Sequence, residues 1–272
     1  MTKKPQRAKA TKSSAKSAAP KRVGKIARAV KSSVAKKPAK RRRRALKAAP
    51  PSYHPGRLID CAEALDQAVA GLSAADPEAI LHMLEHGGPP PLRLQKPGLE
   101  GLLLIVISQQ VSVASADAIA ARVRKNISPL TAAAISAASE EELRACGLSG
   151  PKMRTFRAVS EAILSGALDL DTLAGMGPEE AHQTMIKVKG IGPWTADIFL
   201  LFCLGHPDAW PVGDLALQEA ARLALRLKTR PDAKKLEKIG ERWRPWRGVA
   251  ARILWSYYRV AKSREGMAMA GR

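Results

Sequence analysis

From Tyr53 onward apolar residues recur three and four positions apart instead of alternating. The segments "PGRLIDCAEALDQAVAGL", "DPEAILHMLEHGG", "SVASADAIAARVRKN", "SEEELRACGLSG", "GPKMRTFRAVSEAILSG" and "DLALQEAARLALRL" keep this spacing and begin or end at Gly, Pro, Ser or Asp. That pattern predicts an all-α domain over residues 51–272, built of about ten short helices joined by tight turns. No repeat of fixed period is evident, which argues against a solenoid. The proline-rich "HGGPPPLRLQKPG", residues 86–98, reads as one long, stiff loop. The most apolar window, "GLEGLLLIVIS", is about half of the ~20 residues that cross a bilayer, so a membrane is not an expected partner.

Two glycines, a proline and a tryptophan crowd into "VKGIGPWTA". Before it, "PEEAHQTMIKV" reads as a helix with Pro178 at its first position and two acids in its first turn, where the helix dipole favours them. After it, "PWTADIFLLFCLG" starts a second helix with Pro193 in its first turn. The "KGIG" between them is a turn, so the two helices form a hairpin. Gly190 and Gly192 permit positive φ and close approach of another backbone, and the unpaired N–H groups of the second helix can hold a phosphate oxygen. An ordinary helix-to-helix turn would use the same glycines. Asp214 in "PVGDLAL" is equally two-sided: it suits the N-cap of the next helix and it suits a carboxylate for chemistry.

Charge adds a second component. Residues 1–50 hold 19 of the chain's 46 Lys and Arg and none of its 24 Asp and Glu, which leaves 27 against 24 for the rest. With almost no large apolar side chains, this stretch cannot offset its ordering entropy and is expected to be a disordered basic tail. Such a run binds polyanions by releasing their counterions, so nucleic acid leads as partner; an acidic membrane surface, a solvated linker and a nuclear-import signal are the alternatives. No continuous apolar stretch follows the charged N-terminus, as a secretory signal would require. Cys61, Cys146 and Cys203 are odd in number and widely spaced, which suits a reducing intracellular compartment and provides no disulfide framework.

Four segments occur in an order that resembles the helix-hairpin-helix DNA glycosylase superfamily. "VISQQVSVASADAIAARV" is similar to its Gln-Gln-x-Ser helix and turn, and "GLSGPKMRTFRAVSEAI" to its Gly-x-Ser-x-x-Lys helix. "VKGIGPWTADIFLLFCLG" followed by "PVGDLAL" is similar to its hairpin and aspartate, and "RPWRGVAARILW" to its Arg-Pro-Trp-Arg segment. Together they cover roughly residues 55–260, and the branch they resemble is DNA-3-methyladenine glycosylase II, which removes alkylated bases. The resemblance implies a two-lobed helical fold with the active-site cleft between the lobes. It implies a monofunctional enzyme that flips the damaged base from duplex DNA, hydrolyses its glycosidic bond and leaves an abasic site. Asp214 matches the catalytic aspartate, whose charge stabilises a sugar with oxocarbenium character and orients water.

Trp194 and Trp255 match the base-pocket aromatics, able to stack on a cationic alkylpurine, with Ile198 one helical turn after Trp194. Gln109, Gln110, Lys152, Gly190, Gly192 and Thr195 match DNA contacts; Gln110 occupies the wedge position, where this branch often has Leu. Trp243 and Trp246 are assigned to the core. The main-chain carbonyls of Ile186, Val188 and Ile191 match a site for a monovalent cation, Na+ or K+, and no other cofactor is implied. Members with an iron-sulfur cluster carry four closely spaced C-terminal cysteines, and none follows Cys203 here. Some members of the branch have an N-terminal mixed α/β domain where this chain has the basic tail. A monomer is expected, on the nucleoid of a bacterium or in the nucleus of a eukaryote.

Two other classes fit parts of the chain. His82, Glu85 and His86 satisfy the His-x-x-Glu-His pattern of inverted zinc peptidases, although the sequence assigns no third ligand. A non-catalytic DNA-binding module would use the tail and hairpin, with Asp214 only as a cap.

Overall fold

The computed structural model describes residues 57–270, with side chains to residue 263. The expected tail, residues 1–50, lies outside the described residues. Among those described there are twelve α-helices, two 3-10 turns and no strand. In chain order they are α1 (Ala62–Ala75), α2 (Pro77–Gly87), α3 (Gly98–Ser108), α4 (Val113–Asn126), α5 (Ala132–Ala137) and α6 (Glu140–Ala145). Then come α7 (Gly150–Leu164), α8 (Pro178–Ile186), α9 (Pro193–Phe202), α10 (Leu215–Ala224), α11 (Ala233–Gly240) and α12 (Arg247–Ala270).

The helix starts follow the local chemistry of the sequence. Asp76, Ser112, Thr131, Asp214 and Asp232 each accept a backbone N–H of the first turn they precede, and Ser139 with Glu142 completes a reciprocal capping box. Proline occupies the first turn of α2, α7, α8 and α9, where its missing N–H removes no helical bond. The first expected helix begins later than its apolar period suggests. Residues 57–60 are not helical, and Ile59 donates its N–H to the Gly205 carbonyl at 2.7 Å, which ties this stretch to a distant loop.

Two hydrophobic cores are buried. One is formed by α3 to α9, with Phe156, Phe199, Leu102 and Leu103 among its least exposed side chains. The other is formed by α1, α2 and α10 to α12 around Trp210, Trp243, Leu72 and Leu254. Trp255 packs against both. Trp243 is fully buried, and Trp246 is half-buried with its ring against Gly71, so both serve the core as their sequence context suggested. The proline-rich loop is fastened at two points: Gln95 N–H donates to the Phe202 carbonyl at 2.8 Å, and Arg252 donates to the Leu92 carbonyl.

Candidate active site

The hairpin consists of α8, a tight turn and α9. The Ile191 N–H donates to the Val188 carbonyl at 3.0 Å and closes the turn. Its two glycines do different work. Gly190 has φ +92°, and a Cβ there would lie 2.2 Å from the Thr155 hydroxyl of α7, so both conformation and packing demand glycine. Gly192 has an ordinary φ of −87°, and a Cβ there would meet nothing within 4 Å. The absent side chain at Gly192 leaves the first turn of α9 open to another molecule. The Val188 carbonyl retains a second lone pair beside its bond from Ile191, so a cation could share it.

An open recess of about 500 Å³ lies before this turn, lined by Gln109, Gln110, Gly190, Gly192, Trp194 and Thr195. Gln109 donates from Nε2 to the Thr195 hydroxyl at 2.9 Å, which joins the end of α3 to the first turn of α9. Gln110 is exposed with φ +56°, in the left-handed region, and is followed by exposed Val111 and Val113. The structure thus brings together five of the six residues matched to DNA contacts. Lys152 is the exception. It is half-buried, donates from Nζ to the Ile107 carbonyl at 2.6 Å, and is held below the usual lysine range by burial. It therefore caps the end of α3 instead of presenting its ammonium outward.

Asp214 caps the next helix and also holds two indoles. Its Oδ1 accepts the Leu217 N–H at 2.7 Å, the N-cap bond of α10, and the Trp255 Nε1–H at 3.2 Å. Its Oδ2 accepts the Trp194 Nε1–H at 2.8 Å. One carboxylate thus connects α10, α9 and α12. Of roughly four lone-pair positions on a carboxylate, these donors take three and leave one on Oδ2. The two indoles matched to the base pocket therefore meet Asp214 edge-on, through their N–H groups. The ring of Phe202 lies against Trp255, with centroids 5.7 Å apart at 27°. Ile198, by contrast, is only 8% exposed and belongs to the first core.

A second carboxylate stands near the hairpin. Asp197, on α9, is buried 3.7 Å from His182. Burial first, then the charge of Glu237, pushes it up to about 8, which favours its neutral form at pH 7. The zinc-peptidase pattern finds no ligand set. His86 Nδ1 lies 2.9 Å from the His82 carbonyl, and among the described residues no three His, Cys, Asp or Glu are grouped to hold a metal.

Sequence reasoning missed three contributors. Phe202 and Arg252 surround Trp255, and Asp208 holds both arginines of "RPWR". The arginines were visible in that motif, but their partner was not. Asp208 is fully buried; it accepts from Arg244 Nη1 at 2.7 Å and from the Arg247 backbone, Nε and Nη2 at 3.1, 3.0 and 2.9 Å. This clamp fixes the start of α12, two turns before Trp255, to the loop that leads to Asp214.

Comparison with known proteins agrees with this geometry. Residues 103–245 match the HhH-GPD superfamily of base excision DNA repair proteins. The chain is 33% identical over 204 residues to the probable bifunctional transcriptional activator/DNA repair enzyme AlkA of Mycobacterium tuberculosis, a match covering 67% of this chain and 40% of that protein. The solved Schizosaccharomyces pombe 3-methyladenine DNA glycosylase in complex with abasic DNA is 30% identical, with a TM-score of 0.61 over 70% of this chain and 95% of that one. The DNA-3-methyladenine glycosidase of Bacillus halodurans is also 30% identical, with a TM-score of 0.62 over 74% and 91%. A family match that spans more than half of the chain and includes the hairpin, the recess and Asp214 shows that the chain belongs to the HhH-GPD superfamily of base excision DNA repair proteins.

Proposed function

We propose that the protein is a monofunctional DNA glycosylase that excises alkylated bases, such as 3-methyladenine, from duplex DNA in base excision repair. The observation that carries this reading is the Asp214 carboxylate, held on both oxygens by two indole N–H groups and a helix N-terminus. The named activities of the similar proteins support it. The C1′–N bond breaks and its electron pair leaves with the base. Asp214 stabilises the positive charge that develops on the sugar, a stabilisation that is larger in a water-poor site than in bulk solvent. A water on the remaining Oδ2 lone pair adds to C1′ and gives its proton to the carboxylate. Gly190, Gly192 and the first turn of α9 hold the DNA backbone, and Gln110 enters the space left by the flipped base. A Na+ or K+ ion on the carbonyls of Ile186, Val188 and Ile191 would strengthen that backbone grip.

Chromatography of duplex DNA treated with a methylating agent tests the reading. Free 3-methyladenine should appear with time and protein; DNA binding without base release would leave the non-catalytic module as the function.

The strand should remain intact after excision. Relatives that also cut the strand use a lysine immediately before the Thr of the second hairpin helix, and here that position is Trp194. Lys187 and Lys189 are exposed but precede the turn. Borohydride added during turnover should trap no protein–DNA adduct, and breaks should require alkali or heat. A trapped adduct would overturn the assignment of water as nucleophile.

The basic tail should act through charge alone. Removing residues 1–50 should lower nonspecific duplex affinity and flatten its dependence on salt, because 19 cationic side chains leave without any apolar core. The melting temperature should hardly move. An unchanged salt slope would assign the tail to another partner.

A further inference from the structure

The turn that carries Gln110 is held from outside its own helix. Asp76, Gly88 and Ile127 close α1, α2 and α4 with a backbone N–H that returns to the last turn, whereas Gln109, which ends α3, makes no such bond among the described residues. Two side chains from other helices take over that work. Lys152 of α7 donates from Nζ to the Ile107 carbonyl at 2.6 Å, and the Thr195 hydroxyl of α9 accepts from the Gln109 side-chain amide at 2.9 Å. Gln110 follows directly, with φ +56°, and lines the recess. A residue other than glycine stays in that conformation only where its surroundings over-determine it. Lys152 supplies one of those restraints at a cost in desolvation. It is half-buried, and among the described residues the Ile107 carbonyl is its one hydrogen-bond partner. An apolar side chain of equal length would pack there without that cost, so packing alone does not explain the charge. A cation at the C-terminal end of α3 does explain it, since it meets an orphan carbonyl and the negative end of the helix dipole. The same turn of α7 also backs the hairpin. The Thr155 hydroxyl, donating to the Pro151 carbonyl at 3.1 Å, lies where a Cβ on Gly190 would have to go.

We infer that Lys152 is a positioning residue for base extrusion: through the Ile107 carbonyl it sets the turn that places Gln110 in the gap left by the flipped base, and it ties that turn to the hairpin. The inference rests on the glycosylase reading above. Because α7 touches the elements that bear both, the hairpin on the DNA backbone and Gln110 inside the stack act in one fixed geometry. Without the ammonium the hairpin still binds duplex, but the end of α3 is released and Gln110 reaches the gap less often. The loss falls on the step that takes the base out of the stack, and binding to undamaged duplex is spared. A lysine that touched phosphate would behave in the opposite way, weakening binding to all duplexes alike and lowering its salt dependence when removed.

A double-mutant cycle on Lys152 and Gln110 in the full chain tests this. One readout is single-turnover release of 3-methyladenine from methylated duplex. The other is the fluorescence of 2-aminopurine placed beside a tetrahydrofuran abasic analogue, which reports filling of the gap. K152M keeps the length of the side chain and removes its charge and donors. It should lower the release rate about tenfold and shrink the fluorescence change, while affinity for undamaged duplex stays within about twofold. K152R retains a cationic donor and should recover most of both signals. In the Q110A background K152M should cost less than about twofold, because the side chain it positions is already gone. A loss of about tenfold in both backgrounds, or a loss of affinity for all duplexes as large as the loss of release, overturns the inference. So does a K152M protein that matches the parent. Melting curves accompany each variant, and K152A runs the same cycle should K152M fail to fold. A parent that releases no base ends the glycosylase reading, and the fluorescence cycle then decides the role of Lys152.

Discussion

Asp214→Asn should lower excision by about a thousandfold, roughly 4 kcal/mol of barrier, while the helical fold and duplex binding survive. Asparagine preserves one oxygen for the Leu217 N–H, so α10 keeps its cap, and substitution between good capping residues costs little. What disappears is the negative charge and the ability to accept from both indoles at once, since the amide nitrogen is a donor. Asp214→Ala should lose the cap as well and melt lower, by about 1 kcal/mol more. Single-turnover base release with circular dichroism on both variants separates the roles. Excision by Asp214→Asn within about threefold of the parent, some 0.65 kcal/mol, would reduce Asp214 to a cap.

The parts of this site legible in the sequence are those fixed within a few residues. Helix starts at Ser112, Ser139, Asp214 and Asp232 depend on one side chain reaching an N–H two or three residues on, and the hairpin depends on glycines and a proline in one short run. The different duties of Gly190 and Gly192 were not legible, because one is decided by Thr155 on a separate helix and the other by open space. Lys152 could not be distinguished from a surface cation, since its partner, the Ile107 carbonyl, is 45 positions away. Trp194 and Trp255 were marked by the family resemblance, yet their orientation depends on a carboxylate 20 and 41 positions distant. Sequence pattern names the residue types that chemistry needs; long-range packing decides which edge of each faces the reacting centre.

The clamp around Asp208 leads to the second large effect. Asp208→Ala should destabilise the protein by about 3–5 kcal/mol, because Arg247, only 3% exposed, would keep its buried charge and lose its central partner. Glu179 and Glu237 also reach Arg247, but their side chains are 61% and 45% exposed and solvent screens them. Glu179→Ala should therefore cost no more than about 1 kcal/mol, despite removing a carboxylate that touches both arginines. Urea unfolding of the two variants beside the parent measures the contrast. Equal losses would mean that the network acts as a surface ion cluster. The predicted asymmetry would place its strength in the buried carboxylate, at the junction where the loop bearing Asp214 meets the helix bearing Trp255. Loosening that junction should also slow excision at saturating DNA, since both groups that define the edge of the reacting centre are positioned from it.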